Sequence, residues 1–135
     1  MITMATKLLS IPSNPKRIVE LEGFLTNVLS DLELSKERYP EMLISLTEAV
    51  NNAIIHGNKL DESKQVKINC EKSGKHLCFS ISDEGDGFDV MEVPDPTSDN
   101  LIDCCGGRGV FIMTNLCDRI QFKNNGSTVE MYFNR

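Results

Sequence analysis

The sequence predicts an α+β fold, a two-layer sandwich in which helices cover one face of a mixed, mainly antiparallel sheet. Two observations predict it. Helical periodicity fills the stretch from Ser13 to Gly57, and period-two alternation fills Val66–Ile81 and Ile120–Phe133. Helices followed by hairpin-connected strands build separate helical and sheet layers. At 135 residues the chain reads as one domain, 1–135, large enough to bury about two-thirds of its unfolded surface.

Each element has a local cause. Thr6–Ile11 reads as a short strand ending before Pro12. Ser13-Asn14-Pro15 brings a capping side chain and a first-turn proline. Ile18, Leu21, Leu25 and Val28 then recur at helical spacing and carry a first helix to about Ser30. Ser35 caps a second helix that runs to His56 and stops at Gly57. Pro40 lies near its start, so either the helix begins there or its first turn is irregular. Val66–Cys70 and Leu77–Ile81 alternate as half-buried strands joined around Ser73-Gly74, and Gly109–Leu116 reads as a third helix. Ile120–Lys123 and Thr128–Phe133 form a closing hairpin across Asn124-Asn125-Gly126. Val90–Cys105 is a long polar connection containing Pro94 and Pro96, and such loops are functional or disordered.

Composition narrows the function. A net charge of −6 without a basic stripe argues against direct nucleic-acid binding. No signal peptide and no apolar run near the ~20 residues of a membrane span appear, which predicts a soluble, cytoplasmic protein with no membrane association. Five cysteines without framework or CxxC spacing predict reduced thiols. Cys104-Cys105 read as incidental residues of the long connection, a redox role being the weaker alternative.

Three segments carry chemistry. In Leu46-Thr-Glu-Ala-Val-Asn-Asn-Ala-Ile-Ile-His-Gly57, Leu43, Leu46, Val50, Ala53 and Ile54 make the apolar face of the second helix. Glu41, Ser45, Glu48, Asn52 and His56 fall on another stripe. A solvated helix face is the ordinary explanation of such a stripe. Here Ile54 and Ile55 flank it, and asparagine is a poor helix-interior residue that needs a reason. A carboxylate one turn before a neutral amide oxygen suits proton handling beside Mg²⁺. Asp83-Glu-Gly-Asp-Gly-Phe88 places a carboxylate at a strand end beside Gly85 and Gly87; alone it is an ordinary turn. Gly106-Gly-Arg-Gly-Val-Phe111 runs glycines into a helix N-terminus, where free N–H groups suit phosphate, although a flexible linker has the same composition.

In this order the three segments resemble the N-box and the two glycine boxes of the GHKL (Bergerat-type) ATP-binding superfamily. Within it the chain is most similar to the small anti-sigma-factor serine/threonine kinases. The Gly-Arg-Gly-Val-Phe form and a short lid over about residues 90–109 lean toward that branch. The resemblance implies ATP and Mg²⁺ as cofactors. It implies Glu48 as general base, Asn52 as the Mg²⁺ ligand, His56 near the phosphates (or a structural helix cap), and Asp83 as acceptor of the adenine amine. Gly85 and Gly87 would let the backbone approach the base; Gly107, Arg108, Gly109 and Val110 would hold the phosphates. Arg108 would touch the terminal phosphate or the protein substrate, and Thr128 would hydrogen-bond near adenine. The implied partners are a STAS-domain anti-anti-sigma protein, as substrate, and a sigma factor or analogous regulator. Homodimers are common in the family, though no residue pattern here demands one. The rival expectation is a non-catalytic, nucleotide-responsive binding module, which retention of Glu48 argues against.

Overall fold

The alternation and helical spacing of the sequence reappear in the computed structural model, which describes residues 5–85 and 107–134. Strand β1 (Ala5–Pro12) is a sheet edge, where Pro12, opposite Gln65, can close the strand without a needed N–H. The expected first helix is split. Asn14 accepts from the Lys16 N–H at 3.0 Å and caps a 3-10 turn, Pro15–Val19, ahead of α1 (Glu20–Asp31). Ser13 is buried instead of capping, and its hydroxyl donates to the Lys64 carbonyl at 2.7 Å.

Helix α2 (Tyr39–Asn52) begins at the proline, not at Ser35, whose hydroxyl only accepts from the Glu37 N–H at 3.1 Å in a short turn. Arg38 fastens this end. It donates to Glu41 at 2.8 Å, to the Asp118 carboxylate and to the Leu116 carbonyl at 3.0 Å, and its guanidinium lies 5.0 Å from the Phe133 ring.

Strands β2 (Gln65–Ser73), β3 (His76–Ser82), β4 (Arg119–Lys123) and β5 (Thr128–Asn134) complete a sheet of order β1-β2-β3-β5-β4. Every described pairing is antiparallel, so the expected mixed component is absent from the described residues. Val66, Ile68 and Cys70, then Leu77, Phe79 and Ile81, then Val129, Met131 and Phe133 are the buried alternate residues. They meet Leu21, Leu25, Leu46, Val50 and Ile54 of the helical layer in one core, each large apolar side chain contributing about 1.5–3 kcal/mol by burial. Helix α3 (Gly107–Leu116) packs against α2. Because β5 lies between β3 and β4, its first residues sit beside the end of β3, where the site forms.

Candidate functional site

The site is organised by the way α2 ends. Ala53–Gly57 is a π turn, in which the Asn58 N–H reaches the Ala53 carbonyl at 2.8 Å. Single wide turns of this kind recur at functional sites. The chain then leaves the helix through two left-handed residues, Lys59 (φ 53°) and Leu60 (φ 62°). Non-glycine residues hold that conformation at a cost of about 1–2 kcal/mol each.

Gly57 ends the helix as expected, and its φ lies outside the left-handed region. Its missing side chain serves a contact. A Cβ at Gly57 would lie 2.2 Å from Asp83 Oδ2 and 2.3 Å from Asp83 Cγ. One at Gly85 would lie 2.0 Å from the Gly57 carbonyl oxygen. Gly57, Asp83 and Gly85 thus interlock at a separation that only glycine permits.

Asp83 stands half-buried in this seat. Its N–H donates to the Ser127 carbonyl at 2.9 Å, and its Oδ1 accepts from the Gly85 N–H at 2.8 Å. Burial raises its pKa, against the Gly85 N–H and the charge of Lys64, which lower it. Oδ2 has no hydrogen-bond partner among the described residues and lies against Gly57.

Glu48 and Asn52 lie one turn apart on α2, both half-buried and both without a hydrogen-bond or ion-pair partner among the described residues. The rest of the expected stripe disperses. Glu41 pairs with Arg38. Ser45 is fully buried, with no partner for its Oγ among the described residues. Helix α2 packs against both the sheet and α3, so its buried arc is wider than one apolar stripe. His56 is exposed in the π turn, where residues five apart stack, and so falls short of the row set by Glu48 and Asn52. Asn51 faces elsewhere, lining a groove of about 460 Å³ with Pro15, Val19, Leu43 and Thr47.

Gly107, Arg108, Gly109 and Val110 form the N-terminal turn of α3, and the first N–H groups of a helix have no partner within it. Gly87, the connection up to residue 106 and Cys104-Cys105 lie outside the described residues. Thr128, expected near adenine, is the first residue of β5. It pairs with Ser82, and the two hydroxyls meet at 3.0 Å on the face opposite the core. Strand alternation therefore turns Thr128 away from Asp83, and Ser127 is the neighbour of Asp83 on β5. Burial raises the Cys70, Cys78 and Cys117 thiols, which argues against nucleophilic roles for them.

A model of the histidine kinase-like ATPase domain matches residues 11–133. The chain belongs to that family. Among its relatives is the serine-protein kinase RsbW of Bacillus subtilis, 28% identical over 91% of this chain and 81% of the relative. The anti-sigma F factor of Clostridium perfringens is 30% identical over 83% of this chain and 86% of its own length. That of Shouchella clausii is 35% identical over 69% and 65%. The solved RsbU and RsbW domains of a Mycobacterium tuberculosis protein share the fold, with a TM-score of 0.66 at 14% identity over 96% of this chain and 32% of that one. The α+β sandwich is accordingly of the GHKL type, and an ATP-binding domain follows from membership. Among the described residues no helix is long and apolar enough to cross a membrane.

Three residues at the site escaped the sequence reading: Gly57 as the seat of Asp83, Ser127 as its strand neighbour, and Asn58. Asn58 is 1% exposed and bonds across three chain segments. A polar residue after a helix-ending glycine gives no signal that it is buried.

Proposed function

We propose that this chain is a cytoplasmic, ATP-dependent serine/threonine protein kinase acting as an anti-sigma regulatory factor. It phosphorylates a STAS-domain anti-anti-sigma protein and sequesters a sigma factor or analogous regulator. The observation that carries the proposal is the Glu48–Asn52 pair, without partners among the described residues and half-buried one turn apart on the helix whose end seats Asp83. The names of the relatives, serine-protein kinase and anti-sigma F factor, support it.

Bound ATP supplies the phosphoryl group, and bound Mg²⁺ offsets the charge of its phosphates. Asp83 offers Oδ2, which has no partner among the described residues, to the exocyclic amine of adenine, in a seat that Gly57 and Gly85 keep open. Asn52 presents a hard, neutral oxygen that fits Mg²⁺. The N-terminal N–H groups of α3, with Arg108, hold the phosphates, and His56 stands in the π turn that ends α2. Glu48 accepts the proton of the attacking serine or threonine hydroxyl. Phosphoryl transfer is mainly positioning and electrostatics, so this small set suffices.

The test is transfer of γ-labelled phosphate from Mg-ATP to a STAS-domain protein, wild type against Glu48→Ala. Label on a partner serine or threonine should fall by about 10²–10⁴ in rate in the variant while ATP binding survives. Absence of label from a wild-type protein that binds both ATP and partner would leave a sequestering module instead.

A further inference from the structure

Asn58 spends every polar group it has. Its N–H donates to the Ala53 carbonyl at 2.8 Å and its carbonyl accepts from the Asp61 N–H at 3.1 Å. Nδ2 donates to Ser13 Oγ at 2.8 Å and to the Gln65 carbonyl at 3.1 Å, and Oδ1 accepts from the Glu84 N–H at 2.7 Å. Chemistry alone fixes the orientation of the amide, because a peptide N–H only donates and a carbonyl only accepts. Ser13 spends its own proton on the Lys64 carbonyl at 2.7 Å, which leaves its lone pairs for Nδ2.

The bond to Glu84 differs in kind from the others. That N–H belongs to the peptide joining Asp83 to Glu84, so holding it fixes the rotation that follows the Asp83 Cα. On the other side, the Asp83 N–H is held by the Ser127 carbonyl at 2.9 Å. With both flanking amides anchored, the backbone of Asp83 is fixed, and its carboxylate lies against Gly57. A further tie, from the Gln65 N–H to Glu84 Oε2 at 2.5 Å, holds the Glu84 side chain and not that peptide.

We propose that Asn58 is a positioning residue for adenine recognition: by holding the Glu84 amide it aims the Asp83 carboxylate at the base. The proposal rests on the adenine-binding role given to Asp83 above. Ser13 supplies a matched control, being equally buried and in the same network yet touching neither Glu84 nor Asp83.

The experiment titrates ADP and GDP by calorimetry into the full chain as wild type, Ser13→Ala, Asn58→Ala and Asn58→Asp, with thermal unfolding alongside. Wild type should prefer ADP. Ser13→Ala should lose stability and keep the ADP/GDP ratio. Asn58→Ala should lose on the order of tenfold of that ratio. Asn58→Asp retains an acceptor for Glu84 and should keep most of it. A folded Asn58→Ala with the wild-type ratio, or an Asn58→Asp that loses as much as alanine, overturns the proposal. So does a Ser13→Ala that loses the ratio to the same extent. Should Asn58→Ala not fold, the aspartate variant decides. Hydrogen exchange on the wild type needs no variant: the Glu84 amide should exchange as slowly as those of β3, and exchange at an exposed-loop rate refutes the assignment. A wild-type chain without preference for ADP would instead remove the adenine reading itself, and this proposal with it.

Discussion

Asn52 and Asn58 stand on either side of the same π turn and are used in opposite ways. Asn52 is half-buried and has no hydrogen-bond partner among the described residues; Asn58 is 1% exposed and saturated. Burial decides the difference. An unsatisfied amide at the depth of Asn58 would cost about 1–3 kcal/mol, so every group there must be bonded. At the depth of Asn52 water can satisfy the amide until a ligand displaces it. The turn thus divides into residues kept available and residues that hold them in place.

The largest effect expected of this division is at Asn52. Asn52→Ala should lower phosphotransfer by at least about a hundredfold, since even outer-shell partners of metal ligands cost 10–100-fold. Its unfolding free energy should stay within about 0.5 kcal/mol of wild type, as for an unbonded, partly exposed side chain. Urea denaturation beside the kinase assay checks both. A variant that lost stability while keeping activity would collapse the distinction between the two asparagines.

The glycines sharpen the same division. At Gly85 an added Cβ meets the Gly57 carbonyl at 2.0 Å, a backbone obstacle that cannot swing aside. At Gly57 it meets the Asp83 carboxylate, a side chain that can rotate away at the expense of its position. Gly85→Ala should therefore destabilise by about 1–3 kcal/mol or more and abolish ADP binding. Gly57→Ala should destabilise less and still abolish binding. Gly23 in α1 has nothing within 4 Å of its would-be Cβ. Gly23→Ala should stabilise by about 0.5–1 kcal/mol without touching binding. Equal stability losses at Gly57 and Gly85 would show that Asp83 is as rigid as backbone.

How far the sequence could be read follows from the range of each signal. Strand alternation and the Leu46–Val50–Ile54 helical face are local patterns; β2, β3 and the closing hairpin emerged from them with small boundary shifts, while the first helix was split by the 3-10 turn at its start. Glu48 and Asn52 were legible because polar residues in an apolar helix need a reason. The close approach at Gly57 was not legible, because a glycine that ends a helix and a glycine that admits a neighbour leave the same letter, and the approaching residue, Asp83, comes from a distant strand end. Ser127 could not be read as the neighbour of Asp83, because strand register fixes which residue faces the end of β3, and register is set by pairing across the sheet. Ser45 looked like a member of the polar stripe until α3 and the sheet together widened the buried arc of α2.

The smallest expected effect extends the division to two carboxylates, with opposite pH signs. Asp118 is bonded within the fold through Oδ2. It accepts from the Asn134 N–H at 2.6 Å and from Arg38, and these bonds, the backbone one foremost, hold its pKa below the ordinary 3.8. Its unfolded form binds the proton more readily, so its stabilisation is full above the ordinary value and is lost as pH falls through the folded one. Asp83 is the reverse. Burial raises it, so the folded state binds the proton more readily, and its contribution is full below 3.8 and lost as pH rises through the folded value. Asp118→Asn should therefore cost about 1 kcal/mol or less at pH 7, the scale of a partly exposed charge pair, and cost less still near pH 3. Asp83→Asn should be at least as stable as wild type at pH 7, lose that advantage near pH 3, and fail to bind ADP selectively. Urea midpoints of the three proteins at the two pH values measure this. An Asp83→Asn destabilised at pH 7 would mean that the carboxylate holds the fold together, and that Asp83 belongs with Asn58 among the residues that position, not with Asn52 among those kept available.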